Sequence, residues 1–91
     1  MLRLIWRRSA RDDAAAIFNY IAERNAAAAE RLQGAIEACA EGLRDRPFMY
    51  GPGRVEGTRE AVVHPNYIVV YRVTADAVEI TAVVHARQEY P

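Results

Sequence analysis

Five side chains in the C-terminal half carry most of this sequence's chemical potential: Arg59, Arg72, His85, Arg87 and Tyr90. Guanidinium groups can grip a phosphate bidentately. An imidazole or phenol beside them could donate a proton to a leaving oxygen, with Glu60 or Glu79 as base. That would be phosphodiester chemistry. The plainer alternative is that these are ordinary polar residues at strand ends, with Arg72 pairing to Glu79 across a hairpin. Sequence spacing cannot establish the geometry that proton transfer needs, and the plainer reading carries more weight.

Other reactive types are sparse. Cys39, the single cysteine, falls on the apolar stripe of a helix, where a thiol is a core residue far more often than a nucleophile. Alone it excludes an internal disulfide. Two histidines with no carboxylates at ligand spacing imply no metal centre, and no cofactor motif is present. His64, beside Pro65, reads as an exposed turn residue without a role, and Trp6 as core. Arg3, Arg7, Arg8 and Arg11 precede any acid. They suit an acidic partner or nucleic acid, or they protect an edge strand from aggregation.

These residues must be positioned by a small scaffold. Ninety-one residues predict one domain spanning the whole chain. Met1 to Arg7 reads as a short strand. Ser9 and Asp12 have the S-x-x-D spacing of a capping box, opening a helix from about Ala10 to Arg24. Ala14, Ile17, Phe18 and Ile21 mark its buried stripe. Asn25 ends that helix and caps a second, about Ala26 to Arg44, with Leu32, Ile36, Cys39, Ala40 and Leu43 on one side. Alanines and Gly34 let the two pack as a tight hairpin.

Pro47 and a glycine-rich loop follow, and then the period changes. Thr58 to His64, Tyr67 to Val73 and Ala77 to Val84 are β-branched runs joined by short turns, an antiparallel meander. The expected fold is α+β, in the order β-α-α-β-β-β, with the helical hairpin on one face of a mainly antiparallel four-stranded sheet. Alternation puts Tyr67, Val69, Tyr71 and Val73 on one face of the third strand. In the fourth, it sets Val78, Ile80, Ala82 and Val84 against Glu79, Thr81, Val83 and His85. The second set should face away from the helices, on an exposed sheet surface.

The charge balance adds a constraint. Twelve basic residues, all arginine, meet twelve acidic ones for a net charge of zero, which argues against binding nucleic-acid phosphates directly. No apolar run is long enough to span a membrane, and no signal peptide is visible, so a cytoplasmic location is expected.

The pieces Gly57-Thr58-Arg59-Glu60, Tyr67-Ile68-Val69-Val70-Tyr71-Arg72-Val73 and Val83-Val84-His85-Ala86-Arg87-Gln88 resemble the closing half of the RelE/ParE toxin superfamily. The opening strand followed by Ser9-Ala10-Arg11-Asp12-Asp13 resembles its start. That resemblance implies a toxin neutralised by a cognate antitoxin, here ParD-like, which wraps the helical hairpin and sheet. We expect the apolar surface around Ile17, Ile21 and Leu32 to receive it. RelE-like members cleave messenger RNA on the ribosome with basic and aromatic residues, which here would be Arg59, Arg72, His85, Arg87 and Tyr90. ParE-like members instead poison DNA gyrase. A nuclease docking on dense phosphate is served by a cationic excess. This chain has none, lacks lysine, and sets Glu60, Glu79 and Glu89 among the candidate residues. The Gly-Thr-Arg-Glu and Tyr-Arg-Val pieces also look closer to ParE. The reading is therefore a ParE-like gyrase inhibitor acting by binding, with a RelE-like nuclease as the alternative.

Overall fold

The computed structural model describes residues 1–90; Pro91, at the end of the expected tail, lies outside them. Six elements follow in the anticipated order: β1 (Arg3–Trp6), α1 (Arg8–Ala22), α2 (Ala26–Gly42), β2 (Arg59–His64), β3 (Tyr67–Val73) and β4 (Ala77–His85). The strands lie side by side as β1-β4-β3-β2. β2, β3 and β4 form the antiparallel meander, and β1 joins parallel to β4.

The two helices pack on one face of the sheet. Between them Leu32, Ile36, Ala40 and Leu43 of α2 and Ala10 and Ala14 of α1 meet Ala61, Val69, Tyr71, Val78 and Ile80. Cys39 and Trp6 border this cluster, half-buried, as expected of core residues. Burial pushes the Cys39 thiol up, against the opposing effect of its hydrogen bond with Tyr50. Asn25 caps α2 as anticipated, its side-chain oxygen accepting from the amide of Ala28 at 3.0 Å.

Three local expectations are overturned. First, Ser9 and Asp12 form no capping box. α1 begins at Arg8, and Arg7 precedes it without a side-chain cap. Ser9 instead donates its hydroxyl hydrogen to the carbonyl of Thr81 at 2.8 Å. One turn on, the carboxylate of Asp13 accepts the amide of Val83 at 3.0 Å. The reason lies in strand lengths: β1 pairs with β4 only from Ala77 to Ile80. Beyond that point the outer edge of β4 would be bare, and an unpaired buried amide is costly. Residues i and i+4 of a helix share a face, so Ser9 and Asp13 together serve the edge that β1 leaves.

Second, β4 does not alternate evenly. Val70 is opposite Ala82 but Tyr71 is opposite Ile80, so Thr81 is an extra residue, a β-bulge. A bulge exchanges the faces of everything beyond it. Val83 therefore joins Val78 and Ile80 on the helix side, while Val84 turns to the far face with Ala82. On β3 the expected division holds.

Third, the far face is not open. Ile68, Val70 and Val84 form a second small cluster, covered by Ala82, Ala86 and Tyr90. The chain after β4 thus folds back over the sheet.

Candidate functional site

The five candidate residues do not converge. Arg59 is opposite Tyr71 in the β2–β3 register, on the helix side of the sheet. Its guanidinium donates to the carbonyl of Tyr50 and lies 4.8 Å from the centre of the Phe48 ring. His85, past the bulge, also turns to the helix side, edge-on to Tyr67 with ring centres 5.3 Å apart. This reverses its expected placement. Arg87 is exposed, its amide donating to Nδ1 of His85 at 3.1 Å.

Arg72 and Tyr90 belong to the far face but do different things. Arg72 is opposite Glu79 in register, yet the expected ion pair is absent. Glu79 is taken by Arg7, whose Nε and Nη2 approach one carboxylate oxygen at 3.0 and 2.6 Å. Arg72 instead donates to the carbonyl of Glu56 at 3.4 Å. Gly57 makes room: its φ of +83° suits glycine, and a Cβ there would sit 2.6 Å from the guanidinium.

Tyr90 donates its phenolic hydrogen to Glu60, and the guanidinium of Arg54 stacks on the Tyr90 ring at 4.4 Å. The same Glu60 oxygen accepts the amide of Arg54 at 2.8 Å. Arg54 also donates to the carbonyl of Gln88 at 3.2 Å. Loop, sheet and tail are thereby tied at one carboxylate. Burial, together with the bond to Glu60, pushes the Tyr90 phenol up to about 12. Burial also acts to raise Glu60, but the bonds from Tyr90 and the Arg54 amide and the Arg54 charge outweigh it and hold the carboxyl below its ordinary range.

The pH signs follow. Tyr90, raised on folding, adds stability below the ordinary phenol value that is lost as pH climbs toward about 12. Glu60, lowered, adds stability above the ordinary carboxyl value that is lost as pH falls through its folded value. We expect Tyr90→Phe to cost about 1.5 kcal/mol at neutral pH, the scale of a hydrogen bond to a charged group. It should also remove the share of the alkaline loss of stability that Tyr90 contributes. Urea midpoints across pH measure both, and an unchanged alkaline limb in the variant would show that the phenol is not held as described.

The residues anticipated for antitoxin binding lie together at the edge of the helical hairpin. Ile17 and Ile21, half-buried on successive turns of α1, line two neighbouring hollows that meet at Tyr67. Leu32 floors the second but is only 5% exposed, so it shapes the hollow more than it presents surface. Sequence reasoning missed Tyr67, Arg31 and Arg54. Tyr67 was legible as a strand residue only, and Arg31 and Arg54 are isolated arginines without a motif. His64, anticipated to be idle, is exposed but lies beside Tyr67, with ring centres 5.8 Å apart.

The described residues contain no group of three or more His, Cys, Asp or Glu side chains placed to hold a metal ion. No described helix is long and apolar enough to cross a membrane.

A two-helix hairpin over a β1-β4-β3-β2 sheet is the architecture of the RelE/ParE toxin superfamily. Residues 4–90 match the family model of the ParE toxin of the type II toxin–antitoxin system parDE. The chain belongs to that ParE toxin family. It is 38% identical over 73 residues to a Sinorhizobium fredii protein described as "Putative toxin Y4kP", covering 79% of this chain and 75% of that one. Among solved structures it is similar to the chromosomal ParDE system of P. aeruginosa, with a TM-score of 0.81, 20% identity and coverage of 93% and 96% of the two chains. It also resembles the YoeB/ParE toxin of Agrobacterium tumefaciens (TM-score 0.65, 19% identity, 92% and 98% coverage). The E. coli DinJ-YafQ toxin–antitoxin complex shares the fold at a TM-score of 0.59 and 14% identity, covering 93% of each chain.

Proposed function

We propose that this toxin acts as ParE-like members do, by binding and inhibiting DNA gyrase in the cytoplasm, and that a ParD-like antitoxin neutralises it. The observation that carries this reading is the dispersal of the five candidate residues. Arg59 and His85 lie on the helix side of the sheet, Arg72 and Tyr90 on the far side. Phosphoryl transfer needs its acid, base and cationic clamp within hydrogen-bond reach of one scissile group. Tyr90 is committed to Glu60, and Arg59 to the Tyr50 carbonyl. The zero net charge favours the same reading, since a ribosome-docking nuclease gains from a positive field. Direct DNA binding by the toxin alone is not part of this proposal.

The antitoxin is proposed to contact the hairpin edge at Ile17 and Ile21, over the floor made by Leu32. An apolar helix face laid into such a groove is a common recognition mode.

Induction of the toxin without antitoxin should switch on the DNA-damage response and leave transcripts whole. Mapping of transcript ends after induction tests this. Codon-phased cuts in translated messages would replace the gyrase reading with the RelE-like nuclease.

A further inference from the structure

Two large apolar side chains stand side by side in water. Phe48 and Met49, 65% and 62% exposed, lie in the loop between α2 and β2. A loose loop does not account for this, because the backbone is pinned on both sides of the pair. The carbonyl of Pro47 accepts the hydroxyl of Tyr71 at 2.9 Å, and the carbonyl of Tyr50 accepts the Arg59 guanidinium at 2.5 Å. Both donors stand on the sheet, Tyr71 fully buried in β3 and Arg59 half-buried in β2. The fold therefore presents both side chains from a fixed backbone, so little ordering entropy remains to be lost when a partner covers them.

Arg59 adds a cation to the same surface, its guanidinium 4.8 Å from the centre of the Phe48 ring. The Tyr50 carbonyl uses only part of its donor fork. Among the described residues no carboxylate pairs with it. Met49 and Tyr50 also line a hollow at the end of α2 with Cys39 and Leu43. That lining holds one acid, Asp45, and one base, Arg46, so the unbalanced charge among these residues is Arg59.

We propose that Phe48, Met49 and Arg59 form the surface through which this toxin binds DNA gyrase, at a site where the enzyme sets a carboxylate beside an apolar pocket. Phe48 and Met49 fill the pocket, and the free part of the Arg59 fork receives the carboxylate. This deepens the gyrase reading above and rests on it. Charge complementarity selects the kind of partner: an unpaired guanidinium stacked on an aromatic ring calls for a protein acid, and Arg, Met and aromatic residues are the types enriched at protein interfaces. A phosphate would satisfy Arg59 but leave Met49 in water. The antitoxin contact proposed above lies elsewhere, since Ala28, Arg31 and Leu32 line its hollow. From Ala28 to Gly42 the helix runs about 21 Å, which leaves the end of α2 open to a second protein.

The test uses the full-length toxin and purified gyrase holoenzyme, with affinity read by surface plasmon resonance and function by inhibition of supercoiling. The double change Phe48→Ser/Met49→Ser alters exposed side chains, and Arg59→Gln keeps a donor for the Tyr50 carbonyl. Both should therefore fold, which thermal melts check. The double change should weaken gyrase binding about thirtyfold and Arg59→Gln about tenfold, the range of anchor residues at an interface. Tyr20→Ser, which removes a ring 59% exposed on α1, should bind as wild type does. A measurement on wild type alone stands beside these: gyrase should shield Met49 from oxidation by peroxide to the sulfoxide. Unchanged oxidation of Met49 in the complex would overturn the proposal. A wild-type toxin that does not bind gyrase refutes the gyrase reading, and this surface with it. A wild-type toxin that binds while both variants match it leaves that reading standing and refutes the surface alone. An equal loss in Tyr20→Ser would mean unspecific apolar adhesion and refute it too. A loss of affinity for the antitoxin or for a single-stranded RNA 12-mer, with gyrase binding unchanged, would reassign the patch and overturn the proposal. So would a wild-type dimer that the double change makes monomeric without altering gyrase affinity.

Discussion

Tyr71→Ala is expected to remove about half of this toxin's folding stability. Tyr71 is the largest of the fully buried side chains, at 0% exposure in the centre of β3. Its ring fills the space between sheet and α2, and its hydroxyl donates to the carbonyl of Pro47 at 2.9 Å. Truncating a buried aromatic costs about 3–5 kcal/mol, against a total stability of about 5–10 kcal/mol for a domain of this size. Tyr71→Phe keeps the ring but leaves the Pro47 carbonyl without its donor, a loss of about 1–2 kcal/mol. The melting temperature should then fall by roughly 4–16 °C. Thermal melts of the three forms measure the ranking, and a Tyr71→Ala protein as stable as wild type would refute the central place given to this ring. Burial also pushes the Tyr71 phenol up, with Arg59 opposing the rise. It therefore stays protonated, and stays a donor, throughout the neutral range.

The second large effect is expected at Asp13. Its carboxylate receives the amide of Val83, a residue only 2% exposed. Asp13→Ala leaves that amide without a partner, which costs about 1–3 kcal/mol. Asp13→Asn should recover most of the loss, because the amide oxygen of asparagine can accept the same hydrogen. Charge is therefore secondary to acceptance. Hydrogen exchange at Val83 gives the direct readout: strong acceleration in Asp13→Ala and near wild-type protection in Asp13→Asn. Equal protection in both variants would mean that the amide finds its partner elsewhere.

The helices and the meander were readable because their periods are set by apolar residues that have only one place to go. Ile36 and Leu43 must face a sheet, and Val69 and Tyr71 must face a helix. The side chains that were misplaced are polar ones with several adequate partners. Ser9 had a locally sound role as a cap, and lost it to a strand edge far along the chain. Arg72 and Glu79 did come opposite one another, but Arg7 reached the carboxylate first. The bulge at Thr81 was invisible because nothing in Ile80-Thr81-Ala82 marks an extra residue. That single offset moved His85 to the other side of the sheet, away from Arg72 and Tyr90. The groove at the hairpin edge was half legible: Ile17 and Ile21 stood on the apolar stripe, whereas the rings around them depend on turns that bring His64 and His85 to either side of Tyr67.

The position of β4 sets the order in which this protein can become a protein. The last strand made is an inner one, flanked by β1 and β3. Ser9 and Thr81, which meet across its edge, are separated by 72 residues. While the chain is still being synthesised, β1 has no strand to join and Ser9 and Asp13 have nothing to hold. The helical hairpin can form early, but the sheet beneath it closes only when the final segment arrives. Non-local pairing of this kind makes folding slow. The helical hairpin can therefore stand complete while the sheet beneath it is still open, and insertion of β4 between β1 and β3 is the step that completes the fold.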